Sequence, residues 1–202
     1  MNDLYRVYVK LDSKKSIISV NSSAFLDTVE EWLQIDEGVG DRYHHAQSNY
    51  FDLPIYTVDG FPRYKLVEGK AVERTEQELD ADRLPNAKTE KIKKSKADLE
   101  AYLLSHPLTW TDGEQYSMTE EKQNQLTSTL MAAQLDGKKP EWNTSGGVCK
   151  EWELSELSSL AIAIKNCVKI LVKYQQSKEI EIQASTTIAE VEQIEIDYCG
   201  LI

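Results

Sequence analysis

The chain has 202 residues, 41% hydrophobic and 28% charged, a balance that suits a core shared by one or two domains. Its formal net charge of −11 argues against general binding to nucleic acid or to acidic membrane surfaces, because phosphate-rich partners demand basic ones. The 3 cysteines, Cys149, Cys167 and Cys199, are widely spaced and odd in number. They fit reduced thiols better than a disulfide framework or a zinc site.

Leu4 to Leu11 is rich in aromatic and β-branched residues, and the polar turn 12–15 separates it from Ile17 to Val20, which predicts a β-hairpin. No basic n-region followed by an apolar core opens the chain, so it is expected to remain in the cytoplasm of the producing cell unless an assembly carries it out. Trp32 to Ile35 reads as a third strand. From Asp36 to Phe51 the composition is loop-like but loaded with aromatic and hydrogen-bonding side chains, more than a connector needs. Short strands are predicted over Pro54–Val58, Pro62–Val67 and Lys70–Glu73, joined by Asp-Gly and Glu-Gly turns.

At Thr75 the composition changes. Thr75-Glu-Gln-Glu78 is a capping box, and polar, charge-striped helix is predicted from there to about Ser105, broken at Pro85. The lysines at 88, 91, 93, 94 and 96 are interleaved with acids and read as a solvated face. Two hairpins follow, about Asp112-Gly113 and Ser145-Gly-Gly147. Each leads into a helix: the first is capped at Ser117 or Thr119 and ends near Gly137, the second is capped at Ser155.

The second helix holds the longest apolar run, Leu160 to Val172. This run falls well short of the 18 or so residues of a membrane span and contains Lys165 and Lys169, which with Lys173 recur every four residues on one helical face. Continued to Gln193 the helix would be roughly 57 Å long at about 1.5 Å per residue, which exceeds the width of a small domain. Its far stripe, Ile180, Ala184, Ile188 and Val191, is the segment expected to meet a partner protein or a second copy of the chain. Alternation in Ile180–Ile182 and Ile194–Tyr198 also fits strands.

The predicted fold class is therefore α+β: a small mostly-β module over 1–74, a polar helical connector over 75–105, and a helical domain over 106–202 with two β-hairpins and one long C-terminal helix.

Recognisable chemistry is sparse. The chain contains no Gly-x-Ser-x-Gly elbow and neither Gly-rich phosphate cradle, so neither an enzyme nor a cofactor is expected. His44 and His45 are adjacent, and adjacent side chains of an extended chain point to opposite faces, so no metal is expected unless the loop has special geometry or an oligomer shares the ion. The segment Tyr43 to Phe51 carries two readings. Its aromatics either close the β module, or Tyr43, His44, His45, Asn49 and Tyr50 form a recognition surface for a protein or glycan.

Val20–Leu26, Ile35–Phe51 and Tyr64–Lys70 together resemble the N-terminal module of small proteins encoded in the tail regions of prophages of Gram-positive bacteria. Tyr116–Leu126, Trp142-Asn143, Gly147–Trp152 and Tyr174–Ile182 are similar to an uncharacterised domain that recurs at the ends of phage tail and tail-fibre-associated proteins. The resemblance covers most of the chain, least over 75–105. It implies a non-enzymatic tail or tail-like-particle protein that binds a tail-fibre or baseplate protein, foremost as an assembly or accessory factor. A baseplate or fibre structural part, and a receptor- or glycan-binding module, are the alternatives. It transfers no catalytic residues.

Overall fold

The computed structural model describes residues 3–202. Its architecture is α+β, with a strand-bearing N-terminal part followed by a mostly helical part that carries small hairpins and a long helix near the C-terminus. The chain divides into two compact units, one up to Arg83 and the other Leu84–Ile202.

In the first unit, β1 (Leu4–Leu11) lies between β2 (Ile17–Ser22) and β3 (Leu33–Val39), antiparallel to both. Val7 and Val9 of β1, two residues apart on one sheet face, pack with Ile17 and Val20 of β2, which the register irregularity at Lys10/Leu11 brings to that face; all four are buried. The stretch expected as a loop continues β3 to Val39 and then folds into two single turns, α1 (Asp41–His44) and α2 (Ala46–Asn49). The hairpin β4 (Tyr64–Val67) and β5 (Lys70–Glu73) forms as predicted. Pro54–Val58 does not become a strand. Only Tyr56 bridges to Pro62, and an Asp-Gly turn with a proline on either side leaves few amides for a ladder.

The capping box at Thr75 is made: the Glu78 amide donates to Thr75 Oγ1 and the Thr75 amide to Glu78 Oε2. It opens α3 (Glu76–Ser105), which runs through Pro85 without the expected break. A helical proline costs about 3 kcal/mol, and burial of Leu79, with the packing of partly buried Leu84 and Ile92 on either side of the proline, offsets that cost. The division between units falls after Arg83, further along than the change of composition, because the first turns of α3 are tied to the strands. Lys65 pairs with Glu78 at 2.5 Å, Arg74 with Asp82 at 2.6 Å and Arg83 with Asp59 at 2.5 Å.

In the second unit, β6 (Leu108–Thr109) and β7 (Gln115–Tyr116) form one hairpin, and β8 (Glu141–Asn143) and β9 (Cys149–Glu151) the other. Each leads to a helix, α4 (Glu120–Asp136) and α5 (Leu154–Ala184). Thr119 caps α4 by accepting from the Lys122 amide, and Gly137 closes it at φ 71°, a left-handed conformation that glycine tolerates. The helix α5 starts two residues earlier than predicted, with Glu153 and not Ser155 at its N-cap. Tyr116, Met118, Trp142 and Trp152 from the hairpins close over Leu126 of α4 and Leu157, Leu160, Ile164 and Leu171 of α5.

The long helix does not reach Gln193. It stops at Ala184, and a second capping box, Thr187 with Glu190, starts α6 (Ile188–Gln193). Ser185, Thr186 and Thr187 are weak helix formers whose side chains favour caps, and the turn lets Val191 and Ile194 fold back on Ile182, Leu84 and Ile92. The lysines of α3 have specific work at this corner. Lys88 donates to the Gln183 carbonyl at 2.7 Å and Lys91 to the Glu192 carbonyl at 3.3 Å, placing cations on the negative ends of α5 and α6. Lys88 opposite Gln183, with Gln175 donating to Ser95 Oγ at 3.1 Å, makes α3 and α5 antiparallel. Tyr198 of the tail donates to the Ser95 carbonyl at 2.9 Å.

Candidate functional site

Gly40 has a φ of 90° and lets the chain leave β3 and enter α1. His45 stands between the two turns at φ −104°, ψ 48°, in neither an α-helical nor an extended conformation. Asp41, His44 and His45 occupy positions i, i+3 and i+4, which share a helical face. The expectation that adjacent histidines diverge applied to an extended chain. In this bent helical turn their Nδ1 atoms are 3.2 Å apart, and His45 Nδ1 is 2.7 Å from Asp41 Oδ1.

The other Asp41 oxygen accepts from Asn49 Nδ2 at 2.6 Å. These bonds, the one to His45 foremost, hold the Asp41 carboxyl below the usual carboxylate range. Aromatic rings pack against the imidazoles from outside: Tyr5 and Phe25 lie edge-on to His44 at 4.7 and 5.1 Å, and Phe25 lies tilted against His45 at 5.5 Å. Asp41 is exposed and both histidines are half-buried. Among the described residues, these three side chains alone bring at least three histidine, cysteine or acidic donors within 4.8 Å of one another.

No known protein family, curated protein or solved structure matches this chain. The geometry therefore stands by itself.

Tyr43 and Tyr50 pack with Phe51 against the core of the first unit, which fits the reading in which the aromatics close the β module. The Tyr43 ring covers Gly38, where an added Cβ would lie 2.4 Å from Tyr43 Cζ. Tyr50 donates to Asp36 Oδ2 at 3.0 Å. Burial, then that bond, pushes its pKa up to about 12. Asp41 was not among the predicted site residues. Its sequence signal was the Asp-x-x-His-His spacing, which is legible only once the segment is read as helix.

The predicted stripe at the chain's end is divided by the turn at 185–187. Ile180 is 67% exposed and Ala184 is exposed, Ile188 is half-buried, and Val191 is buried in the core. Val191 therefore offers no surface to a partner. Lys165, Lys169 and Lys173 lie together on the outer face of α5, as their spacing predicts.

Proposed function

We propose that this chain is a non-enzymatic, protein-binding component of a phage tail or tail-like particle, acting as an assembly or accessory factor for a tail-fibre or baseplate protein. The place comes from the sequence resemblance, and one structural observation supports the mode of action. The helical unit has its own closed core, yet it leaves large apolar side chains outside: Ile162 and Ile180 on α5 and Met131 and Leu135 on α4 are all exposed. Ile162 and Ile180 are five helical turns apart on one face, and Met131 and Leu135 are neighbours at i, i+4. Exposed apolar side chains grouped on a helix face suit a protein partner.

Among the described residues, no helix is long and apolar enough to cross a membrane. Acting by protein contact, the chain works in the producing bacterium and, when retained by its partner, in the particle.

The test is co-expression with a tail-fibre protein of the same genome. We expect the two to co-purify and the fibre protein to lose solubility alone. Ile180→Asp should abolish co-purification while leaving circular dichroism unchanged, whereas Val191→Asp should unfold the corner of α3, α5 and α6. Undiminished co-purification of Ile180→Asp, or a fibre protein that assembles unaided, would refute the proposal.

A further inference from the structure

His45 Nδ1 has two close neighbours, Asp41 Oδ1 at 2.7 Å and His44 Nδ1 at 3.2 Å. An imidazole nitrogen has one in-plane position, filled either by a proton or by a lone pair. An ionised Asp41 only accepts, so its 2.7 Å contact requires His45 Nδ1 to carry the proton. With that proton in place His45 Nδ1 has no lone pair to offer His44, whose Nδ1 lies 3.2 Å away. Two imidazole nitrogens and a carboxylate oxygen thus converge.

A divalent cation can accept a lone pair from each of the three at once. We propose that Asp41 Oδ1, His44 Nδ1 and His45 Nδ1 form a binding site for a divalent transition-metal ion. Ligands at about 2.1 Å from an ion are about 3.0 Å apart when cis in an octahedron and about 3.4 Å apart in a tetrahedron. Two edges, 2.7 and 3.2 Å, lie near these values, and all three ligand atoms lie within 4.8 Å of one another. Imidazole with carboxylate selects zinc, nickel, cobalt, copper or iron over calcium and magnesium, which favour all-oxygen shells.

The surroundings are built as such sites usually are. Asn49 orients the Asp41 carboxylate by holding its other oxygen, and Tyr5 and Phe25 fix the imidazole planes, so little rearrangement is needed on binding. Three protein ligands, with Asp41 at the surface, leave the remaining positions open to water or to an outside donor. The site belongs to the first unit and is independent of the apolar faces of α4 and α5.

The test is calorimetric titration of the full-length, untagged chain with Ni²⁺ and Zn²⁺. Cys149→Ser and Cys199→Ser are introduced first to remove the exposed thiols. One equivalent should bind, with no heat from Mg²⁺ or Ca²⁺. His45→Ala and Asp41→Asn should each weaken binding at least tenfold, and Asn49→Ala by about tenfold through loss of orientation. Cobalt substitution should give the weak visible absorption of a six-coordinate ion. Circular dichroism of each variant separates loss of the site from loss of the fold. The proposal fails if no metal binds, if the His44→Ala/His45→Ala double variant binds as tightly as the parent, or if Asp41→Asn leaves the affinity unchanged.

Discussion

Replacing Arg74 by methionine tests what attaches the start of α3 to the strands. The Arg74 side chain is only 6% exposed, and its guanidinium donates to the Pro62 carbonyl at 3.1 Å, the Glu78 carbonyl at 2.9 Å and Asp82 Oδ2 at 2.6 Å. Breaking a buried pair by removing one partner costs about 3–5 kcal/mol. Asp82 keeps Lys14, 2.5 Å away, so its charge is not orphaned and the lower end, about 3 kcal/mol, is expected. Methionine retains most of the stem's packing, which isolates the polar loss. Hydrogen exchange of peptides covering β1 and β2, read by mass spectrometry, reports the first unit without interference from the second. At tenfold per 1.4 kcal/mol, exchange through global opening should accelerate by about 100-fold. Lys14→Met, at a far more exposed cation, should change it by less than about fivefold. Lys14 and then Arg74 hold the Asp82 carboxyl below the usual carboxylate range. Its depressed folded-state pKa contributes stability that is present above the unfolded value near 4 and lost as pH falls through the folded one. The gap between wild type and Arg74→Met should therefore narrow in strong acid. An acceleration under threefold at neutral pH would refute the assignment of Arg74 as the anchor.

Two further outcomes bear on the region around the histidines. Gly38→Ala drives a methyl into the Tyr43 ring and should destabilise the first unit by about 1–3 kcal/mol, and the double variant with Tyr43→Ala should lose less than the sum of the singles. Additive losses would mean that the ring does not cover Gly38. In ultraviolet difference titration of wild type against Tyr50→Phe, Tyr50 should ionise near pH 12, above the ordinary value near 10. Its neutral form is favoured by folding, so that contribution holds below pH 10 and is lost as pH rises through about 12. Ionisation near pH 10 would show that the phenol is not held as described.

Local pattern alone specified much of this molecule. Alternating β-branched and aromatic residues placed β1 and β2, and the boxes and caps at Thr75, Thr119 and Gly137 placed the ends of α3 and α4. The two Trp-bearing hairpins before α4 and α5, and the exposed lysine face of α5, were also legible. Each is a short-range effect in which a side chain acts on its own backbone or within one helical turn. The candidate site was half legible. His44, His45 and Asn49 stood out by type, but Asp41 was silent until the segment became helical.

Tertiary structure decided the rest, where two local choices were close in free energy and distant residues chose between them. Periodicity allowed the final helix to run through Ala184. The caps at 185–187 and the burial of Val191 and Ile194 against Leu84 and Ile92 made it turn. Proline argued for a break at 85, but packing on either side kept α3 continuous. Adjacent histidines in an extended chain would diverge, and Gly40, the short turns after it and the rings of Tyr5 and Phe25 brought them together. Composition and spacing determined which elements form. Contacts between residues far apart in sequence decided where the elements end and which side chains meet, because only those contacts bury enough surface to override a local preference.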